Sequence, residues 1–266
     1  MELKIFAPSL QLRSFIKCYY VCESHYTEYV KDVFFPDGSV EVVFHAGTDF
    51  YRDDEKECWA KVIGQITQPL TMKAIGEGKS FGIWFLPHTF SLFSGISMNE
   101  LNDKTIPLDT IFSQAFIDLV KNCLLENDVN GLVEGTNIYL SRRLNISSNP
   151  VKEKIVEHAI QYILTKKAGT DLDKLVKDCN ISNRYLQKIF IERIGFSPKF
   201  FIRIVRFQYA LHLLTGCRPD SLTALTYLAG YYDQAHFIRD FKEFTGSAPS
   251  QFHLAKHPIN QHFLGL

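Results

Sequence analysis

Two kinds of hydrophobic rhythm divide the chain. In the first hundred residues the apolar positions fall in short runs bounded by turn residues. Phe15 to Cys22 (FIKCYYVC) and Ser39 to Phe44 (SVEVVF) are rich in aromatic and β-branched side chains, which favour strands. Between them stands Pro36-Asp37-Gly38, a turn signal: Pro fixes one φ, Asp bonds its own backbone and Gly accepts a positive φ. Further strand-like runs follow at 59–66, 70–74 and 81–86, and their regular spacing predicts a barrel- or sandwich-like arrangement. From Ser113 the period lengthens. Phe116, Leu119, Val120, Cys123 and Leu124 recur at helical spacing, and a second helix is predicted over 129–144. The polar stretch Asn145 to Pro150 reads as a linker.

Beyond Pro150 nearly every segment has helical period. Val151 to Lys167 puts Ile155, Ala159, Tyr162 and Ile163 on one face. A short helix over 172–179, with Asp171 as N-cap, is followed by Asn180, which tolerates the left-handed turn conformation. Ser182 caps a second helix bearing Leu186, Ile189, Phe190 and Ile194, and Gly195 ends it. After a long helix over 198–215 the plan recurs: a short helix over 222–229, a turn at Gly230, an Asp233 cap, then Phe237, Phe241 and Phe244 before Gly246. IERIGFSP (191–198) and KEFTGSAP (242–249) match in Gly and Pro position, so the C-terminal half holds one supersecondary unit twice. Short helix, tight turn, second helix is the helix-turn-helix plan.

The predicted fold is therefore α+β. A β-rich domain with trailing helices covers 1–145, a linker 146–150, and an all-α domain 151–266, with helix-turn-helix units at about 171–195 and 221–246. Charge sharpens this division. The chain of 266 residues is formally neutral, yet residues 1–150 hold 13 basic against 19 acidic residues, a balance of −6, and residues 151–266 hold 16 against 10, a balance of +6. A basic half points to a nucleic-acid or membrane contact. The 46% hydrophobic and 22% charged composition excludes disorder. The most apolar run, Phe81 to Ile96, is broken by Pro87-His88 and falls short of the ~18 residues a membrane helix needs. Met1 to Leu10 carries no targeting pattern, and six scattered cysteines without a CxxC pair fit reduced thiols, so a cytoplasmic protein is expected. His25, His45 and His88 match no metal-ligand spacing, and no P-loop, GxSxG or HExxH motif appears. Neither metal, cofactor nor catalytic residue is predicted.

A helix-turn-helix sets its second helix in the major groove of double-stranded DNA, with the N-terminal part facing base edges. The first unit offers Asn183, Arg184, Gln187 and Lys188 for this, and the second offers Gln234, His236, Arg239 and Lys242. Arg and Lys pair with guanine and Gln with adenine. The alternative is a pair of solvated helix faces. Two such stripes in repeated units, on the basic half, favour DNA.

Residues 155–252 resemble the AraC-type (AraC/XylS) family of bacterial transcription regulators. The residues that carry the resemblance are Gly230-Tyr231-Tyr232-Asp233-Gln234-Ala235-His236-Phe237-Ile238-Arg239-Asp240-Phe241-Lys242, followed by Gly246 and Pro249, with Leu175, Ser182, Leu186, Gln187, Phe190, Gly195, Ser197 and Pro198 in the first unit. The resemblance implies a seven-helix DNA-binding domain acting on promoters, more often as activator, with RNA polymerase as a partner. It places Arg184, Gln187 and Lys188, then Gln234 and Arg239, where the family meets DNA. The chain departs from the pattern at Asn180 (for Gly), Tyr231 (for Phe), Thr226 (for Ala) and Ile238 (for a polar residue). The N-terminal half resembles a sensor-like domain found on a subset of these regulators, through Pro36-Asp37-Gly38, Glu41-Val42-Val43-Phe44, Gly64 and Gly82 to Pro87.

The leading expectation is a promoter-binding regulator controlled by its N-terminal half, through a small-molecule effector or through homodimerisation. The alternatives are a constitutive regulator whose N-terminal half only dimerises, and an enzyme fused to a DNA-binding domain. The acidic half is also expected to restrain the basic half when no effector is bound.

Overall fold

Alternation in the first half builds one antiparallel sheet of eight strands: β1 (Glu2–Phe6), β2 (Ile16–Phe34), β3 (Val40–Ala46), β4 (Asp49–Arg52), β5 (Glu55–Lys56), β6 (Ala60–Ile63), β7 (Leu70–Phe85) and β8 (Thr105–Pro107). Their order is β1-β2-β7-β3-β6-β8, while β4 pairs with the first part of β7 and with β5. The half is β-rich with trailing helices, as expected, and its sheet is open rather than closed. The computed structural model describes residues 1–52, 54–144, 150–217 and 221–262. Of the expected linker, 146–149 lies outside the described residues, and Pro150 opens a helix.

Two expected strands, 70–74 and 81–86, are one continuous strand, because the glycines between them mark a close approach rather than a turn. Gly76 takes φ +102°, and a Cβ on Gly78 would lie 2.0 Å from the carbonyl oxygen of Ala46. Its partner β2 runs on past Cys22 to Phe34 and absorbs the mismatch in a bulge between Tyr26 and Val30. β1, which the sequence reading did not predict, is a largely exposed edge strand.

Helices α1 (Ser91–Ser94), α2 (Gln114–Glu126) and α3 (Val129–Arg143) follow the sheet. Along β3, Val40, Val42 and Phe44 are fully buried and point into the core beneath α2, where Phe44 meets Phe116 edge-on at 6.0 Å. Glu41, Val43 and His45 take the opposite face of the pleat.

The C-terminal half is helical: α4 (Pro150–Lys166), α5 (Leu172–Asp178), α6 (Asn183–Ile194), α7 (Pro198–His212), α8 (Leu222–Leu228) and α9 (Gln234–Thr245). α7 stops three residues before the expected Thr215, and a π turn covers Leu213–Cys217. There the Thr215 hydroxyl bonds back to the carbonyl of Leu211 at 2.9 Å.

The two halves share more than a chain. Phe35, at the end of β2, is buried in the helical core, 6.4 Å from Phe207 and 5.7 Å from Phe252, ring centre to ring centre. Burial of one such ring is worth roughly 1.5–3 kcal/mol. Beside it the buried Asp32 carboxylate accepts hydrogen bonds from the Ile259 and Asn260 amides at 2.5 and 2.7 Å, with His257 Nδ1 at 3.1 Å. Gln208 on α7 donates to the carbonyl of Pro36 at 2.6 Å, and Asn102 donates to that of Gly195 at 2.6 Å. Rings and neutral donors carry most of this junction, so it is not a simple pairing of the acidic half with the basic one. Among the described residues no helix is long and apolar enough to cross a membrane.

Candidate nucleic-acid interface

Each helix-turn-helix unit is built from caps and turns that the sequence encodes locally. The Asp171 carboxylate accepts from the amides of Asp173 and Lys174 at 3.0 and 3.1 Å and starts α5. Ser221 starts α8 through the amide of Ala224 at 3.1 Å. The turns then match bond for bond: Ile181 donates to the Val176 carbonyl and Tyr231 to that of Thr226, at 3.1 and 3.0 Å. Asn180 (φ +51°) and Gly230 (φ +77°) take the left-handed conformation just before those bonds. Ser182 caps α6 through the Tyr185 amide at 3.2 Å, and Asp233 caps α9 through that of His236 at 2.7 Å. Gly195 and Gly246 close both helices in the left-handed region. Thr226, where the family pattern has Ala, fits because its hydroxyl donates to the Leu222 carbonyl at 2.8 Å.

The register of the repeat changes inside the second turn. Asp171 and Ser221 are equivalent caps, as are Ser182 and Asp233, so the second unit carries one more residue between its helices. Tyr231 answers to Ile181, leaving Tyr232 as the extra residue, 88% exposed.

On α6, Asn183, Arg184, Gln187 and Lys188 are all exposed on one stripe, opposite the buried Leu186, Ile189 and Phe190. On α9 the equivalent positions are Gln234, Ala235, Ile238 and Arg239. Arg239 and Lys242 are exposed, while Gln234 is half-buried and donates to the Thr223 hydroxyl at 2.6 Å. Ile238 is half-buried against the helical core. His236 sits off the stripe: it turns to Tyr231, with ring centres 5.2 Å apart, and its Nε2 lies 3.7 Å from the buried carboxylate of Asp240. Asp240 in turn holds Arg203 of α7 at 2.8 Å, which ties α9 to the helix joining the two units. The second unit therefore presents a narrower polar face than the first.

Behind these helices lies a cavity of about 540 Å³, which sequence reasoning did not locate. Its floor is the free face of the sheet, with Glu41, His45, Lys61 and Trp84; its roof is α7, through Val205, Gln208 and Tyr209. The spacing along β3 was an available signal, since Glu41 and His45, four residues apart and so on one face, break an otherwise apolar run. Burial beside the Lys61 charge holds the His45 imidazole well below its usual range, so it is neutral; its Nδ1 bonds the Ser80 hydroxyl at 2.8 Å. Of the other histidines, His25 pairs with Glu77 at 2.9 Å and His88 is buried. Cys18 and Cys22 are pushed up to about 11 by burial, and burial also raises Cys58 and Cys123, the reverse of what a nucleophilic thiol requires.

Comparison with known proteins agrees with this arrangement. Residues 4–107 match a family described as a domain of unknown function (DUF6597), and residues 175–254 match a helix-turn-helix domain. Among curated proteins, the HTH-type transcriptional regulator MtrA of Neisseria gonorrhoeae is 29% identical over 102 residues, 38% of this chain and 34% of that protein. An uncharacterised HTH-type transcriptional regulator of Haemophilus influenzae is 33% identical over 121 residues, 40% of each chain. The matched part thus spans well under half the length of these relatives. Among solved structures, ToxT from Vibrio cholerae O395 aligns over 92% of this chain and 98% of its own, at 12% identity and a TM-score of 0.46. A probable AraC family transcriptional regulator from Rhodopseudomonas palustris aligns over 37% of this chain and 93% of its own, at 30% identity and a TM-score of 0.35. These relatives are regulators rather than enzymes, and the helical half of this chain carries a helix-turn-helix domain of the AraC type.

Proposed function

We propose that the protein is a cytoplasmic, sequence-specific regulator that binds double-stranded promoter DNA, works with RNA polymerase, most simply as an activator, and is controlled by an effector bound in its N-terminal half. In this reading 1–145 is the regulatory domain, 146–150 the linker and 151–266 the DNA-binding domain. Arg184, Gln187, Lys188 and Asn183 read one major-groove segment; Arg239, Gln234 and Lys242 read the next, roughly 34 Å along the duplex. His236 supports α9 from within and contributes to that reading indirectly. The observation that carries the proposal is the pair of matched caps and turns that leaves a basic, polar stripe of α6 and α9 in solvent. Lys and Arg on these faces neutralise phosphates while the amides and guanidinium groups select bases.

Effector control rests on the cavity. Its roof is the helix that joins the two reading units, so a molecule lodged there touches the element that sets their spacing. The test is selection of bound sequences from a random DNA pool by the full chain. Two short motifs about one helical turn apart are expected. Enrichment of no motif, or of one motif alone, would refute paired reading.

A further inference from the structure

The cavity between the sheet and α7 carries an asymmetry in how its charged groups are satisfied. Its lysines are engaged. The Lys61 ammonium lies 3.0 Å from a Glu57 carboxylate oxygen. That of Lys17 sits over the Trp84 ring at 3.9 Å, and that of Lys167 over the Tyr209 ring at 4.2 Å. Glu41 is different. It lies in the centre of the sheet, opposite Trp84 on one side and Ile63 on the other, and its carboxyl faces the cavity. Among the described residues no hydrogen bond or ion pair reaches it.

The walls beside Glu41 are aromatic. Trp84 is its cross-strand neighbour, and Tyr20 lies flat over Gly82, where a Cβ would come within 2.0 Å of the Tyr20 ring. Phe50 stacks on His45 at 3.9 Å further along the floor. An unpaired carboxyl among electron-rich rings, in a cavity within the size range of small-molecule sites, is the complement of a cation on an apolar body. An anionic ligand would have to draw lysines from partners they already hold and would face the Asp37 carboxylate.

We propose that the cavity is the site of an organic amine with an apolar or aromatic body, its ammonium group received by Glu41. This deepens the regulatory reading above and rests on it for its biological meaning, but the binding chemistry stands on its own. Asp37, from the turn before β3, adds negative potential, and Lys17 at the start of β2 opposes it. Lys61, and His212 with Lys167 in the roof, face the same space. Burial, reinforced by Asp37, pushes the Glu41 carboxyl up to about 8, so in the empty protein it carries a proton at neutral pH. An arriving ammonium displaces that proton to solvent. Native Glu41 holds a proton between pH 4.5 and about 8 that the unfolded chain has released, so stability of the empty protein falls as pH rises through that window.

The test is calorimetric titration of the full chain with three probes of one shape: 4-phenylbutylamine, 4-phenylbutanol and 4-phenylbutyrate. The amine is expected to bind the parent with release of a proton; in Glu41→Gln no proton is released and the affinity falls by about tenfold or more. In the parent, amine affinity rises about tenfold per pH unit towards pH 8, and Glu41→Gln flattens that slope. Unchanged melting temperature, or a higher one at pH 8, shows the variant folded. Tighter binding of the butyrate, equal binding of the amine by parent and variant, or no saturable binding of any probe overturns the proposal. Binding of selected DNA is measured on the same samples: amine binding without any DNA motif refutes the regulatory reading alone, and a DNA motif without amine binding refutes this one alone.

Discussion

The two helix-turn-helix units are copies in backbone but not in how the rest of the molecule holds them. The first is gripped by polar bonds: Asn102 donates to the Gly195 carbonyl at the end of α6, and Arg193 reaches the Ser91 hydroxyl at 3.1 Å. The second is gripped by an apolar plug. Phe35 packs on Phe252, which packs on Phe241 of α9 at 5.4 Å, and Asp32 clips the chain that follows. The N-terminal half therefore spans both units and touches each with different chemistry. A polar joint can be exchanged for water at modest cost, whereas a buried ring cannot. The contrast makes the first joint the weaker of the two and the second the one that holds the two halves together.

Phe35→Ala breaks the plug. It should cost about 3–5 kcal/mol of stability, read by chemical denaturation of the full chain. A loss under 1 kcal/mol, within about the range of a surface change, would mean that the second unit is held otherwise. Asp32→Ala leaves the Ile259 and Asn260 amides buried without an acceptor, and should cost about 2–3 kcal/mol, with faster proteolysis after residue 252. On DNA, Arg239→Ala should weaken the selected site by ~1–3 kcal/mol and relax one base preference in the second motif, measured by titration against single-base variants. Equal loss on every sequence would make Arg239 a phosphate contact instead. The smallest effect is at the polar joint: Asn102→Ala should cost about 1 kcal/mol or less in stability. It should nevertheless shift DNA affinity, because it loosens the first unit alone. An affinity that does not move would deny the joint any part in control.

The reading units were legible in the sequence because their determinants are local. Asp171, Ser182, Ser221 and Asp233 bond amides two or three residues away, and Asn180, Gly195, Gly230 and Gly246 answer to the backbone at their own position. His236 shows the limit of that reading. A polar residue on a polar helix reads as a contact, while its ring lies beside Tyr231 and 3.7 Å from the Asp240 carboxylate, which Arg203 fixes from another helix. The β half was legible in kind and less so in detail. Residues 70–74 and 81–86 read as two strands, because the loop at Gly47 that packs on Gly76 and Gly78 between them is remote in sequence. The junction was illegible for the same reason on a larger scale: Asp32 and Phe35 find partners more than 170 residues away. The adjacent pair Phe34-Phe35 before the turn at Pro36 was a trace of it, two large rings where β2 ends, of which Phe35 lies just past the strand and enters the helical core.

The Phe35 plug also bears on modular exchange. Regulators of this kind are natural candidates for chimaeras in which one DNA-reading half is joined to another sensing half. Here a cut at residue 150 would leave a socket of Phe207, Phe252 and His257 without its occupant. The working unit of transplantation is not the helical half but that half together with the hexapeptide from Asp32 to Asp37, grafted onto whatever strand the new partner offers at the same edge.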